Sequence, residues 1–234
     1  MPQNFVSNKD ESVRMFKSDY LEVLSKVHFM VPIVLFMPYI LFQIYVSIAL
    51  RSFSLGQFIA LFIGGLATWT ATEYLLHRFV FHYEPTSGFG KKVHFIMHGV
   101  HHDYPNDSRR LVMPPVLSIP LATGFYFLFR ITVGEYSLPP FFAAFLLGYL
   151  VYDIGHYAIH HFKMKGRILT AIKNHHMRHH YVDPDKGYGV SSPFWDFIFR
   201  TEYKKEEIES KSQKIHKTPV ITLDGSIASK KSQS

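Results

Sequence analysis

The apolar positions of this chain fall into four long runs. Val27 to Leu50 is 24 residues without Asp, Glu, Lys or Arg. Ser52 to Thr72 adds a second run of 21, Leu111 to Phe129 a third of 19, and Tyr136 to Tyr152 a fourth of 17. About 20 mainly apolar residues carry a helix across the hydrocarbon core of a bilayer, so the first two runs predict spanning helices. The last two are shorter and marked by Pro114, Pro115, Pro120, Pro139 and Pro140, which suits a tight helical hairpin. The fourth stays apolar past Asp153. A soluble all-α core is the alternative, but runs this long are hard to cover in a protein of 234 residues. A cleaved leader is not expected, because the first 26 residues are charged and the apolar runs are too long and too many.

The polar segments between the runs supply orientation. Lys9, Arg14, Lys17 and Lys26 precede the first run; Arg78, Lys91, Lys92, Arg109 and Arg110 lie between the second and third; Lys163, Lys165, Arg167, Lys173 and Arg178 follow the fourth. The opposite side has only Arg51, Arg130 and Glu135. The excess of Lys and Arg on cytoplasmic loops then places both termini in the cytoplasm. That means the inner membrane in a bacterium and the endoplasmic reticulum in a eukaryote. Val13, Phe16, Tyr20, Val23, Leu24 and Val27 recur at helical spacing, which predicts an amphipathic helix over residues 12–27, lying on the membrane surface rather than binding a partner. The chain thus divides into an amphipathic segment at 1–26, a membrane-embedded domain at 27–203 and a polar tail at 204–234, expected to be disordered. The final SKKSQS gives no organelle address.

Composition narrows the chemistry. There is no cysteine, which excludes a disulfide framework, an iron–sulfur cluster, a thiolate-ligated haem and a cysteine nucleophile. There are 15 histidines, and most fall in four groups: HRFVFH with His77 and His82, HGVHH with His98, His101 and His102, HYAIHH with His156, His160 and His161, and HMRHH with His176, His179 and His180. Residues i, i+3 and i+4 share a helical face, so HGVHH and HMRHH are each expected to present three imidazoles to one spot, and His156 with His160 two. His77 and His82 are five apart, about 140° round a regular α-helix, so a helix end or an irregular turn is expected there. His94 shares a face with His98 as a supporting residue; His161 and His175 are expected to point away, and His28 and His216 to be ordinary polar residues. Ten well-spaced histidines exceed the three or four protein ligands of a mononuclear zinc site and suffice for two metals with about five each. Imidazole suits iron, zinc, copper and nickel alike. Glu73, four before His77, and Asp153, three before His156, are placed to orient ligand imidazoles through their other N–H; the alternative for both is an interfacial charge facing water.

These stretches resemble the fatty acid hydroxylase superfamily of membrane oxygenases, and within it the fatty acid 2-hydroxylases that act on sphingolipid acyl chains. EYLLHRFVFHYEP, HFIMHGVHHDYPNDSRRLVMPP, GYLVYDIGHYAIHH and HHMRHHYVDPDKGYGVSSPFWDFIFRT carry the resemblance over residues 68–203. RLVMPP and GYGVSSPFWD are not demanded by metal binding and narrow the branch. The resemblance implies an all-α integral membrane fold, a four-helix anchor under a cytosolic helical cap. It implies a dimetal site held by His77, His82, His98, His101, His102, His156, His160, His176, His179 and His180. The metals would be two irons, although zinc can occupy such sites, and the reaction would insert one atom of dioxygen at C2 of the acyl chain of a membrane lipid.

Alkyl C–H cleavage needs a redox-active metal, and zinc cannot cycle electrons. Arg109, Arg110, Tyr152, Tyr188 and Trp195 are candidates to line the substrate approach, with interfacial anchoring as the alternative role. Many family members carry an N-terminal cytochrome b5-like domain; 26 residues before the first run are too few to enclose a haem. A separate electron donor is therefore expected, a cytochrome b5 or a ferredoxin with its reductase, and no nucleic-acid partner. The rivals are a relative oxidising a sterol, carotenoid or alkyl lipid, and a non-redox zinc transporter or hydrolase. A transporter should place its ligands near the bilayer midplane, whereas these lie at span ends and in loops.

Overall fold

A computed structural model describes residues 6–204 and two short strands, β1 Val220–Ile221 and β2 Ile227–Ala228, paired antiparallel. The rest of the 204–234 tail and His216 lie outside the described residues. In chain order the helices are α1 Asp19–Leu24, α2 Met30–Tyr45, α3 Leu55–Leu76, α4 Gly88–His94, α5 Val100–Asp103, α6 Pro115–Thr132, α7 Leu138–His161, α8 Arg167–Tyr181 and α9 Phe194–Phe199. Four helical stretches are long and apolar enough to cross a membrane: Met30–Leu50, Leu55–Phe81, Pro115–Thr132 and Leu138–His161. Residues 6–204 therefore form a helical membrane domain with a four-helix anchor, under a cap built from α4, α5, α8 and α9 whose helices carry His94, His101, His102, His175, His176, His179 and His180.

Local chemistry sets the span ends. Ser54 caps α3 by accepting from the Gln57 N–H, while the Gln57 side chain accepts from the Ser54 N–H at 3.1 Å, a reciprocal capping box. Pro115 opens α6 and Pro139 opens α7, positions where the missing N–H costs nothing. The two prolyl runs thus form the expected hairpin, closed by residues 133–137 with Gly134 at φ +87°. Both outer arms run further than their apolar residues alone suggest. α3 continues through Glu73 into the turn at His77, and α7 through Asp153 to His160, so each carries chemistry-bearing side chains at its cap end.

The central helix is α7, which packs along α3 and α2. Phe142, Ala143, Ala144, Phe145 and Leu146 are all buried. Trp69 of α3 meets the Phe145 and Tyr149 rings edge-on at 5.3 and 5.5 Å. Helices in lipid gain little from hydrophobicity and associate through close packing, which favours small residues at the contact. Gly148 lies beneath Trp69, and a Cβ there would fall 2.6 Å from the indole; Gly65 is similarly blocked by the Phe141 carbonyl.

The N-terminal segment departs from the expected amphipathic helix. Only Asp19–Leu24 is helical, and Tyr20 and Val23 are 72% and 70% exposed. The buried member of that turn is Glu22, which accepts from the Met15 and Phe16 N–H groups at 2.9 and 3.0 Å and pairs with Arg110 at 2.6 Å and Lys26 at 2.8 Å. Those two backbone donors turn towards the carboxylate instead of continuing a helix. Residues 6–27 form a strap across the 103–113 loop. It is tied by Val6 N–H to Asp103 O at 3.0 Å, Ser108 N–H to Asp10 Oδ1 at 2.9 Å and Val27 N–H to Arg109 O at 2.7 Å.

Gly148→Leu should drive α7 from Trp69 at an overpacking cost of about 1–3 kcal/mol. The expected result is a lower melting temperature in detergent, with Gly56→Ala, where a Cβ meets nothing within 4 Å, unchanged.

Candidate metal centre

The ten histidines converge in two buried sets of five. His77, His82, His98, His102 and His179 form one; His101, His156, His160, His176 and His180 form the other. The two HxxHH motifs do not each present three rings to one spot, as their spacing suggested. Each splits two to one. His98 and His102 enter the first set and His101 the second; His176 and His180 enter the second and His179 the first. Residues four apart stay together, with ring centroids 4.7 Å apart for His98–His102 and 4.6 Å for His176–His180. Residues three apart diverge, to 5.6 Å for His98–His101 and 5.9 Å for His176–His179. The two sets share a wall, where His102 stacks on His180 at 4.4 Å.

A π turn reconciles His77 with His82. Residues 77–81 widen into one, and the His82 N–H bonds the His77 carbonyl at 3.1 Å. That i→i+5 bond closes a turn at the spacing of the two histidines, bringing their Nε2 atoms within 3.2 Å. A second π turn, Phe95–Gly99, leads into α5. His94, just before it, joins neither set. His161 packs tilted against Tyr157 at 4.6 Å, and His175 bonds Asp196 at 3.0 Å, so both stand outside the sets as expected.

The nitrogens fit metals. Nε2–Nε2 separations are 3.2 Å for His77–His98, 3.1 Å for His82–His98 and 3.0 Å for His98–His102. In the other set His156, His160 and His180 approach His176 at 3.0, 3.0 and 3.1 Å. A metal–nitrogen bond of about 2.1 Å puts two ligands at right angles about 3.0 Å apart. His101 Nε2 and His179 Nε2 are buried without a protein partner, a costly arrangement unless something binds them. Burial, and then the neighbouring imidazoles, push His98, His101, His176, His179 and His180 well below the ordinary histidine range, and His102 to about 3. The rings are therefore neutral, the form that ligates metal.

Backbone carbonyls orient two of the rings. The His77 Nδ1–H donates to the Tyr188 carbonyl at 2.5 Å and the His179 Nδ1–H to the Lys186 carbonyl at 2.7 Å, which leaves Nε2 free to ligate. Glu73 and Asp153 do not orient imidazoles directly, as expected of them, nor do they face water; both are buried. Glu73 Oε1 accepts from the Val190 and Ser191 N–H groups at 2.8 and 2.7 Å and so holds the loop that carries Tyr188. Asp153 accepts from the Met113 N–H and the Tyr149 hydroxyl, both at 3.1 Å, pinning RLVMPP to α7.

Asp196 completes the shell and escaped the sequence reading. Fully buried, it accepts from the Tyr188 and Gly189 N–H groups, both at 2.9 Å, the Thr201 hydroxyl at 2.7 Å and His175 at 3.0 Å. Its signal was a single charge inside the aromatic run FWDFIF. Gly187 at φ +69° lies against the Tyr203 ring, and a Cβ on Gly189 would strike the Ser192 carbonyl. The loop of residues 186–196, which is GYGVSSPFWD and the lysine before it, is thus shaped to aim the Lys186 and Tyr188 carbonyls at two histidines.

Beside both sets lies an apolar cavity of about 550 Å³. His98, His101 and His156 form one wall, residues of α6 including Leu117 and Leu121 another, and Met15, Phe16, Leu21 and Leu24 of the strap a third. Of the five substrate-lining candidates, Arg110 and Tyr152 face it. The others take different places. Arg109 is exposed, Tyr188 packs edge-on to His77 at 5.8 Å, and Trp195 donates to Thr70 at 3.2 Å beside a small second pocket.

A sequence model described as "Fatty acid hydroxylase" matches residues 62–201. The chain belongs to the fatty acid hydroxylase family. Dihydroceramide fatty acyl 2-hydroxylase FAH1 of Arabidopsis thaliana is 34% identical to this hydroxylase over 82% of its chain and 80% of the plant protein. Ceramide very long chain fatty acid hydroxylase scs7 of Schizosaccharomyces pombe is 39% identical over 79% of this chain and 53% of that one. The rat fatty acid 2-hydroxylase is 37% identical over 83% and 58% respectively. This hydroxylase thus spans four-fifths of the plant relative but little more than half of the yeast and rat ones. The visible hydroxylase domain of full-length Scs7p superposes with a TM-score of 0.75 at 36% identity, covering 80% of this chain and 70% of that one. The hydroxylase is accordingly an oxidoreductase, and the transporter and metallohydrolase alternatives fall.

Asp196→Asn removes a charge from four donors and turns an amide N–H towards one of them, a cost of about 2–3 kcal/mol. The melting temperature should fall by ~5 °C. Burial works against the ionised form of Asp196, but the bonds from His175, Thr201 and Gly189 outweigh it and hold the carboxyl below the usual aspartate value of 3.8. Its contribution is present above that pH and lost as the pH falls through the lower folded value. Melting curves of wild type and variant should therefore converge below about pH 3.8.

Proposed function

We propose that this hydroxylase inserts one atom of dioxygen at C2 of the acyl chain of a membrane lipid, a ceramide-type sphingolipid or a free fatty acid. Two irons held by the ten histidines would carry the chemistry. The observation that supports this reading is the apolar cavity walled by His98, His101 and His156, which brings an alkyl chain to both histidine sets at once. When bound, the irons supply dioxygen activation and electron transfer, which zinc on the same ligands cannot. Overall, the C–H bond and dioxygen give a hydroxyl and water, consuming two electrons and two protons. The electrons come from a separate donor, a cytochrome b5 or a ferredoxin with its reductase.

The chain's own residues do the rest. Tyr188 and Lys186 carbonyls hold the His77 and His179 rings in the ligating tautomer. Leu117, Leu121, Met113 and Ile96 exclude water and receive the methylene chain. Position then selects the carbon, since a reacting group held in place gains several kcal/mol over one that is not. Lys and Arg cluster at the ends of the spans that carry the histidines, which supports a cytoplasmic cap with both termini on that side.

Lipid mass spectrometry tests the activity in a host that makes ceramides and supplies a donor. Wild type should give acyl lipids heavier by one oxygen, with fragments placing it at C2. His179→Ala should give no such product, because it removes a buried Nε2 with no alternative at that position. Oxygen elsewhere in the lipid would contradict the regiochemistry, and unaltered product in His179→Ala would contradict the ligand set.

A further inference from the structure

Arg110 has a geometry that its salt bridges do not account for. Its side chain is 3% exposed. One terminal nitrogen bonds Glu22 at 2.6 Å; the other donates to the Val13 carbonyl and lies 3.5 Å from Asp107. Nε is also buried, yet it has no partner. The residue lines the same cavity as His98, His101 and His156. A buried guanidinium N–H left without an acceptor is costly, unless a ligand supplies one.

The cavity's shape says which ligand atom that is. Its methylene-binding wall follows the first turns of α6, at Val116, Leu117, Pro120 and Leu121, and so runs towards the bilayer. Met15, Phe16, Leu24 and Ser25 of the strap line it on the side away from the span. C2 is bonded to the carbonyl carbon C1, so a chain with C2 at the histidines and its tail along α6 must leave C1 at the strap end. Arg110 stands there. It is three residues before Met113, whose N–H is pinned to Asp153, and Asp153 is three residues before His156 on α7.

Resting on the hydroxylase reading above, we infer that the Arg110 Nε–H has no protein acceptor because it donates to the C1 carbonyl oxygen of the substrate, and that Glu22 of the strap aims it. Arg110 is thus a substrate-positioning residue that fixes hydroxylation at C2. Asp107 and Glu22 against Arg110 and Lys26 leave the network neutral. A neutral amide carbonyl accepts from Nε–H without adding charge, whereas a carboxylate brings an uncompensated charge into the cavity, which is expensive.

Arg110→Lys keeps the positive charge and the ion pair but has no Nε–H in that place. The full-length, metal-loaded protein in nanodiscs would be assayed with an N-acyl sphingoid lipid and with the free fatty acid. Binding of the N-acyl lipid would be measured separately on metal-free protein. The variant should bind the N-acyl lipid about tenfold more weakly, lose at least tenfold in kcat/KM and release C3-hydroxylated product, with metal content unchanged. Glu22→Gln leaves Arg110 in place and should give a smaller loss of the same kind, which keeps the test decisive if Arg110→Lys does not fold. A larger loss with the free acid than with the N-acyl lipid would overturn the preference for a neutral carbonyl. Wild-type affinity and exclusive C2 product in both variants would overturn the inference, whatever their melting temperatures. Failure of the wild type to hydroxylate C2 would instead sink the hydroxylase reading itself.

Discussion

Ten neutral imidazoles with converging lone pairs are an unstable thing to bury, and the rest of this structure depends on how that problem is met. Each ring brings one acceptor nitrogen into a space shared with four others, and Nε2 atoms stand 3.0–3.2 Å apart with too few protons to pair them all. Metals resolve this by taking the lone pairs directly. The protein must still hold the rings in place, and it does so from three directions. Two membrane helices rise past their apolar limits to deliver His77, His156 and His160. A loop turns two carbonyls onto Nδ1 atoms. Two short cap helices, α5 and α8, each divide their histidines between the two sets, so neither set can move without the other.

The buried carboxylates belong to the same solution. Glu73, Asp153 and Asp196 ligate nothing among the described residues, yet each gathers backbone N–H groups from a loop that would otherwise be free. Glu73 and Asp196 together fix residues 188–191, and Asp153 fixes Met113. A charge at the end of a membrane span is expensive and persists where it has partners; here the partners are amides. Glu22 repeats the device outside the membrane, drawing the strap over the cavity.

Much of this was legible in the residues. Charge-free runs marked the four spans, and histidine spacing marked the ligand-bearing segments. What spacing could not show was partition. HxxHH places three rings on one face of one helix, but whether they serve one centre or two depends on what stands opposite. The HRFVFH pair showed the reverse: five residues is wrong for an α-helix, so the sequence announced an irregularity, and the π turn is it. The strap was misread because Val13, Phe16, Tyr20 and Val23 carry helical spacing, while the interaction that decides the local fold is Glu22 with a distant arginine. Asp196 was missed for the same reason: its partners are amides brought near only by folding.

The central claim is that two adjacent metal sites, each made by five imidazoles, organise the cap. Metal content per chain, measured on purified wild type and on one variant from each set, tests it most directly. The account predicts about two metals in wild type and a loss of about one in either His82→Ala or His160→Ala, with X-ray absorption showing only nitrogen and oxygen neighbours near about 2.1 Å. A single metal in wild type, or full occupancy in both variants, would contradict it.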